Sequence, residues 1–265
     1  MKKQNLSDSL PDIQSGADPR NIAIDLVGVK GLSVPVTIRC QNTEQHTVAS
    51  VNMYVSLPAD RKGTHMSRFV ELLERHNYEL ETAGLKDLLE EMLELLNASE
   101  GRIEFSFPFF MRKYAPVTKL PSPLKYDVEL AVVRKAGDTY IEQSAVIPVT
   151  TLCPCSKEIS KYGAHNQRSH VTIRIRTHNF LPLEEQVRYA EKNASCELWS
   201  GLKRIDEKYV TEHAYENPKF VEDLVRDVAH DVAQDSRIDA FIVEAENFES
   251  IHNHSAFGRI TRGSF

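Results

Sequence analysis

Two hydrophobic periods take turns along this chain. Val34–Cys40 (VPVTIRC) and Thr47–Leu57 (TVASVNMYVSL) alternate apolar and polar residues and are rich in β-branched side chains, the pattern of half-buried strands. The period then lengthens. Ser67–Asn77 and Leu85–Asn97 read as helices, the second with Leu85, Leu88, Leu89, Met92, Leu93 and Leu96 on one face. Strands return at Arg102–Phe107 and Tyr126–Val133, and a turn at Lys135–Asp138 leads into a strand at Tyr140–Val149. The second half runs in similar order. His170–Thr177 alternates like a strand, and Leu183–Trp199 carries Leu183, Val187, Ala190, Ala194 and Leu198 on a helical face. Pro218–Asp235 carries Val221, Leu224, Val225, Val228 and Val232, with Asn217-Pro218 as its N-cap and first turn. Ala240–Glu246 is the last strand before the tail.

Strands enclosing helix pairs predict an α+β fold with antiparallel sheets. The polar segment before Asn21 reads as a loosely packed arm, and the segment between Pro148 and Cys153 as the seam between two units. The expected division is 1–20, 21–148 and 149–265. No residue-level repeat links the halves, so duplication rests on element order alone.

Composition narrows the class. The 265 residues are 41% hydrophobic and 26% charged, too apolar for disorder. With 32 Lys+Arg against 38 Asp+Glu the net charge is −6, which lacks the basic excess of a general nucleic-acid binder. No apolar run approaches the ~18–20 residues of a membrane span, and the first residues lack an apolar signal core. No membrane partner and a cytoplasmic location are therefore expected. Four cysteines, Cys40, Cys153, Cys155 and Cys196, are too few and too unevenly spaced for a disulfide framework, which leaves thiols available for metal or chemistry.

The densest chemistry begins at Leu152, in LCPCSKEISKYGAHNQRS. Cys153 and Cys155 flank Pro154, expected to prevent helix continuation, and His165 follows a Gly163 that lets the chain turn back. Cys, Cys and His within thirteen positions resemble half of a metal site, without the second pair of a structural zinc finger. A redox CxC pair and a buried-cysteine loop are the other readings. Near the end, NFESIHNHSAF holds His252 and His254, which an extended segment projects from one side, suited to metal binding or proton transfer. Glu207 lies in a charged stretch, and Glu222 near a helix start is expected on the shoulder of the apolar stripe, with Asp223 pointing away. Taken alone, each glutamate reads as a solvated surface charge. Arg61, Lys62, His65 and Arg68 gather around Gly63 at the entry to the first helix, an arrangement equally suited to phosphate or to a capping loop.

Taken together, LPDIQ, KGTHMSRF, LCPCSKEIS, YGAHNQRS, NASCELW, KRIDEKYVTE, NPKFVED and ENFESIHNHSAF resemble the prokaryotic GTP cyclohydrolase IB family, from about Leu10 to Ile260. The resemblance implies two tandem tunnelling-fold units, each an antiparallel sheet carrying two helices, assembled as a homotetramer with sites between subunits. It implies hydrolysis of GTP to dihydroneopterin triphosphate and formate, the first step of tetrahydrofolate synthesis. The metal ligands fall on Cys153, His165 and Glu207, with Cys155 accessory, the pterin-anchoring glutamate on Glu222, and the active-site histidines on His252 and His254. Lys62, His65 and Arg68 are the candidates for the triphosphate. The divalent ion is zinc, iron(II) or manganese(II), all compatible with mixed S/N/O donors. Two alternatives stand beside this reading. One is a noncatalytic assembly module stabilised by a closed metal site. The other is a different tunnelling-fold enzyme acting on a purine or pterin-like substrate, such as a nitrile reductase with a cysteine nucleophile.

Overall fold

The computed structural model describes residues 12–39, 44–76 and 79–265, so Cys40, Asn77 and the start of the arm lie outside the described residues. The elements in chain order are β1 (Ile24–Arg39), β2 (Glu44–Leu57), α1 (Met66–Arg75), β3 (Glu79–Leu80), α2 (Thr82–Leu96), β4 (Gly101–Tyr114) and β5 (Pro121–Lys135). They continue with β6 (Asp138–Leu152), α3 (Pro154–Ile159), β7 (Asn166–Thr177), α4 (Leu183–Glu191), α5 (Arg204–Glu216), α6 (Val221–Gln234), β8 (Ile238–Asn247) and β9 (Ala256–Arg262). The strands form one sheet in the order β3-β1-β2-β4-β5-β6-β7-β8-β9. Every pairing is antiparallel except that of the two-residue β3 with β1.

Strand alternation sorts the sheet into two faces. On β4, Ile103, Phe105, Phe107 and Phe109 are buried, while Arg102, Glu104 and Ser106 face the other way. The apolar face packs against α1, α2, α4 and α6 in one continuous core. The expected stripe of α2, Leu85 through Leu96, is buried at every position, as is that of α6. The opposite face is charged: Arg102 pairs with Glu104 and Glu142, and Arg174 with Glu129.

Element order repeats across the hairpin at Ala136–Gly137, where both residues take positive φ. Two strands, helices and two strands lie on each side. The expected seam at 148–153 falls at the end of β6, which runs unbroken to Leu152. The helix expected over Leu183–Trp199 stops at Glu191. Beyond it, Cys196 forms a backbone bridge with Thr150, and Ser195 Oγ accepts from Leu152 N. That segment takes the place of β5, whose pairing with β6 ends at Asp127–Val146. Buried Lys113 fixes it further through Glu191, at 2.6 Å, and Glu197. Asn217 caps the end of α5 rather than the start of α6, whose N-cap is Phe220.

Candidate active site

The β6–α3–β7 corner is built by local hydrogen bonds. Cys153 is the N-cap of α3 and its Sγ accepts from Ser156 N at 3.4 Å. Pro154, expected to block a helix, instead starts one, since the first helical position needs no N–H partner. Cys153 N donates to His165 O at 3.1 Å. Ser156 Oγ donates to Cys153 O and accepts from His165 N, which closes the loop. Gly163 makes the reversal with φ +123°, as expected from the sequence. The backbone thus holds Cys153 and His165 side by side.

A third and a fourth segment reach this corner. The loop after β8 brings Ser250 Oγ to 3.4 Å and a Glu249 carboxylate oxygen to 3.9 Å from His165 Nδ1. Two residues on, His252 and His254 are exposed with their rings stacked 5.1 Å apart, on one side as expected. Lys219 N donates to Leu152 O, which seats the start of α6 beside the end of β6. Glu222 follows in the first turn of that helix. Its side chain is exposed and Asp223, half-buried, turns back to accept from Phe220 N, the reverse of the expected shoulder geometry. Helix capping decides it, because a carboxylate in the third helical position can reach the free N–H at the N-cap.

Glu207 lies in the first turn of α5, and it is exposed. The far end of α5 meets α3, where Lys157 Nζ donates to Tyr215 O. Glu207 is therefore eight residues, or about 12 Å of helix, before that contact. Among the described residues, no three His, Cys, Asp or Glu side chains converge closely enough to hold a metal ion. The expected set of Cys153, His165 and Glu207 is thus not assembled within one chain, and neither is a closed four-ligand structural site. What the corner brings together by backbone pairing is one thiol residue and one imidazole residue, with Glu249 as the nearest carboxylate to His165. A thiol and an imidazole fit a divalent transition metal. Cys155 is exposed in the first turn of α3.

The basic cluster has another use. Arg68 donates to Leu95 O at 2.9 Å and Arg61 to Asn97 O at 3.1 Å, so both guanidiniums satisfy carbonyls at the C-terminal end of α2. His65 is the N-cap residue of α1 and lies 3.4 Å from Asp12. Lys62 is exposed. This cluster follows β2 at the Val55–Gly101–Arg134 end of the sheet, whereas the corner lies at the opposite, Leu152–Asn166 end of β6 and β7, four strand positions away. Arg68 therefore commits one nitrogen, Nη1, to the protein itself.

Sequence reasoning missed three polar residues. Gln167 is buried, donates to Thr151 Oγ1 at 2.8 Å and lies 3.0 Å from His165 Nδ1 through its Oε1. Its signal was parity: Gln167, Ser169 and Thr151 occupy positions in step with Val171, Ile173 and Val149, so they face inward. Glu249 carries no such signal, since a loop decides its place. Asp206 is buried and accepts from Val117 N, Thr118 N, Thr118 Oγ1 and Lys203 N, locking the start of α5 onto the Ala115–Leu120 loop. Burial pushes this carboxyl up, but hydrogen bonds from Thr118, Lys203 and Val117 outweigh it and hold it well below the usual range. Cys196, by contrast, is pushed up to about 11, first by burial and then by Glu197, which marks a packing thiol rather than a reactive one.

Comparison with known proteins places this architecture. By structure, the chain superposes on uricase from Arthrobacter globiformis with a TM-score of 0.50 at 12% identity, covering 89% of this chain and 92% of that one. A hyper-thermostable AgUricase mutant gives 0.53 at 11% identity, covering 91% and 92%. These neighbours share the tunnelling fold, an α+β arrangement dominated by antiparallel sheet. By sequence, the chain is 56% identical over 263 residues to GTP cyclohydrolase FolE2 of Paraburkholderia xenovorans, covering 99% of this chain and 98% of the relative. It is 55% identical over 251 residues to GTP cyclohydrolase FolE2 2 of Cupriavidus metallidurans, covering 95% and 94%. Residues 10–258 match the family described as Type I GTP cyclohydrolase folE2. With nearly its whole length accounted for, the chain belongs to the Type I GTP cyclohydrolase FolE2 family.

Proposed function

We propose that this protein is a GTP cyclohydrolase that converts GTP and water to 7,8-dihydroneopterin triphosphate and formate, the first step of tetrahydrofolate synthesis. Family membership over residues 10–258 carries the reading. The convergence of Cys153, His165, the His252/His254 loop and the start of α6 on one corner supports it.

Each group has work to do in that reaction. Cys153 and His165 would hold a divalent ion, with Glu207 or Glu249 as the carboxylate of the set. When bound, the ion supplies Lewis acidity for water attack at C8 of guanine. His252, with His254 beside it, moves protons to and from the purine nitrogens during ring opening and formate release. Glu222 accepts hydrogen bonds from the guanine 2-amino group and adjacent ring N–H, a charge-assisted pair that selects guanine. Lys62 and His65 remain the triphosphate candidates. Their distance from the corner within one chain supports a site shared between subunits of a homotetramer, in which one protomer's α1 region serves its partner. A cytoplasmic location belongs to the same reading, and no helix is long and apolar enough to cross a membrane among the described residues.

The test is incubation of metal-loaded protein with GTP, following formate and, after oxidation, neopterin fluorescence. Both products are expected, and their absence with metal and fold intact would overturn the reading. Glu222→Gln keeps its volume but turns an acceptor into a donor, so GTP binding should weaken by about 1.5–3 kcal/mol with metal content unchanged. Metal analysis of Glu207→Gln beside Glu249→Gln shows which carboxylate holds the ion.

A further inference from the structure

His165 has three oxygens around Nδ1: Gln167 Oε1 at 3.0 Å, Ser250 Oγ at 3.4 Å and a Glu249 carboxylate oxygen at 3.9 Å. The nearest belongs to an amide whose orientation is fixed from behind. Gln167 Nε2 donates to Thr151 Oγ1 at 2.8 Å, Thr151 Oγ1 lies 2.8 Å from Ser169 Oγ, and Ser169 Oγ donates to Asn247 Oδ1 at 2.7 Å. Because Ser169 spends its proton on Asn247, the Thr151 hydroxyl is the donor in the link between them. Thr151 must then accept from the Gln167 amide nitrogen, which turns Oε1 toward His165. A carbonyl oxygen only accepts, so Nδ1 must carry a proton. All four linking residues are buried, with Thr151 and Ser169 fully so.

We propose that Gln167 is a positioning residue: through the Thr151–Ser169–Asn247 chain it holds His165 as the Nδ1–H tautomer and leaves Nε2 as the one bare ring nitrogen for an electrophile. The chain spans β6, β7 and β8, so three strands rather than one loop set the ring. The functional consequence rests on the metal reading above, but the tautomer does not. A ligating histidine whose second nitrogen loses its partner commonly loses about 10–100-fold in metal affinity.

The experiment uses full-length protein with labelled histidine, stripped of metal, and reads the His165 tautomer from two-bond ¹H–¹⁵N correlations at a pH where the ring is neutral. His165→Asn identifies the resonances. The wild type is expected to show Nδ1–H. Gln167→Leu should move the population toward the Nε2–H form that an unconstrained imidazole prefers, and weaken zinc binding about 10–100-fold. Gln167→Glu keeps an acceptor and should retain the tautomer. Thr151→Val frees the amide to turn and should give a mixture, which decides the matter even where Gln167→Leu folds poorly. An Nε2–H wild type, or an unchanged tautomer in both Gln167→Leu and Thr151→Val, overturns the proposal. Failure of the GTP assay leaves these spectra unaffected, so the two readings fail separately.

Discussion

Two polar clusters in this chain carry similar promise in sequence and have opposite fates in the fold. At the entry to α1, Arg61, Lys62, His65 and Arg68 surround a glycine, as a phosphate site would. At the β6–β7 corner, Cys153, Cys155 and His165 surround another. In the first cluster the two guanidiniums donate to Asn97 O and Leu95 O, carbonyls that α2 leaves unpaired at its end. In the second, backbone bonds and Ser156 hold the corner while His165 Nε2 is left for a ligand. The difference teaches that a cluster is judged by its unspent hydrogen-bonding capacity rather than by its composition. An arginine that completes a helix terminus is structure, whereas a histidine oriented through one nitrogen and open at the other is equipment.

The sharpest way to break the comparison is at the corner. Cys153→Ala removes the thiolate donor and should lower bound metal, with turnover falling beyond the ~10–100-fold that loss of a metal ligand's hydrogen-bond partner costs. Metal analysis beside formate release checks it, and normal values for both would transfer the role to Cys155. His252→Ala should keep metal and GTP binding yet slow turnover by ~10²–10⁴-fold. Single-turnover formate release measures this, and loss of metal would make His252 a ligand.

Asp206 sharpens the comparison from the satisfied side. Its folded pKa lies below the ordinary ~3.9, so the stability it contributes is present above that value and is lost as pH falls toward the folded one. Melting temperature should therefore drop steeply below about pH 4 in the wild type, and less steeply in Asp206→Asn, which starts lower at pH 7. Parallel curves for the two proteins would show that the clamp contributes nothing. The smallest effect belongs to Arg68→Met, expected to lower stability by about 1 kcal/mol with KM for GTP unchanged. Denaturant titration beside steady-state kinetics checks it. A raised KM at normal stability would return Arg68 to the triphosphate.

The sequence by itself determined what short-range periodicity can express. The α2 and α6 stripes, the alternation of β2, β4 and β7, and the turn at Gly163 follow from residue spacing and local backbone preference, and the fold keeps them. The family phrases single out Cys153, Cys155, His165, Glu207, Glu222, His252 and His254 as site candidates, and Glu207 among them stands away from the corner. Tertiary structure decided the rest. Residues beyond Glu191 left a helical pattern because β6 offered an unpaired edge at Thr150, a partner far away in sequence. Asn217 went to the end of one helix instead of the start of the next. Glu222 and Asp223 exchanged their expected exposures because the free N–H of Phe220 claims the carboxylate in the third helical position. Glu249 and Gln167 joined His165 through a loop and a buried chain across three strands. Local pattern reports which face a side chain takes, but the partners that consume or orient its hydrogen bonds come from segments brought together only by packing of the whole sheet.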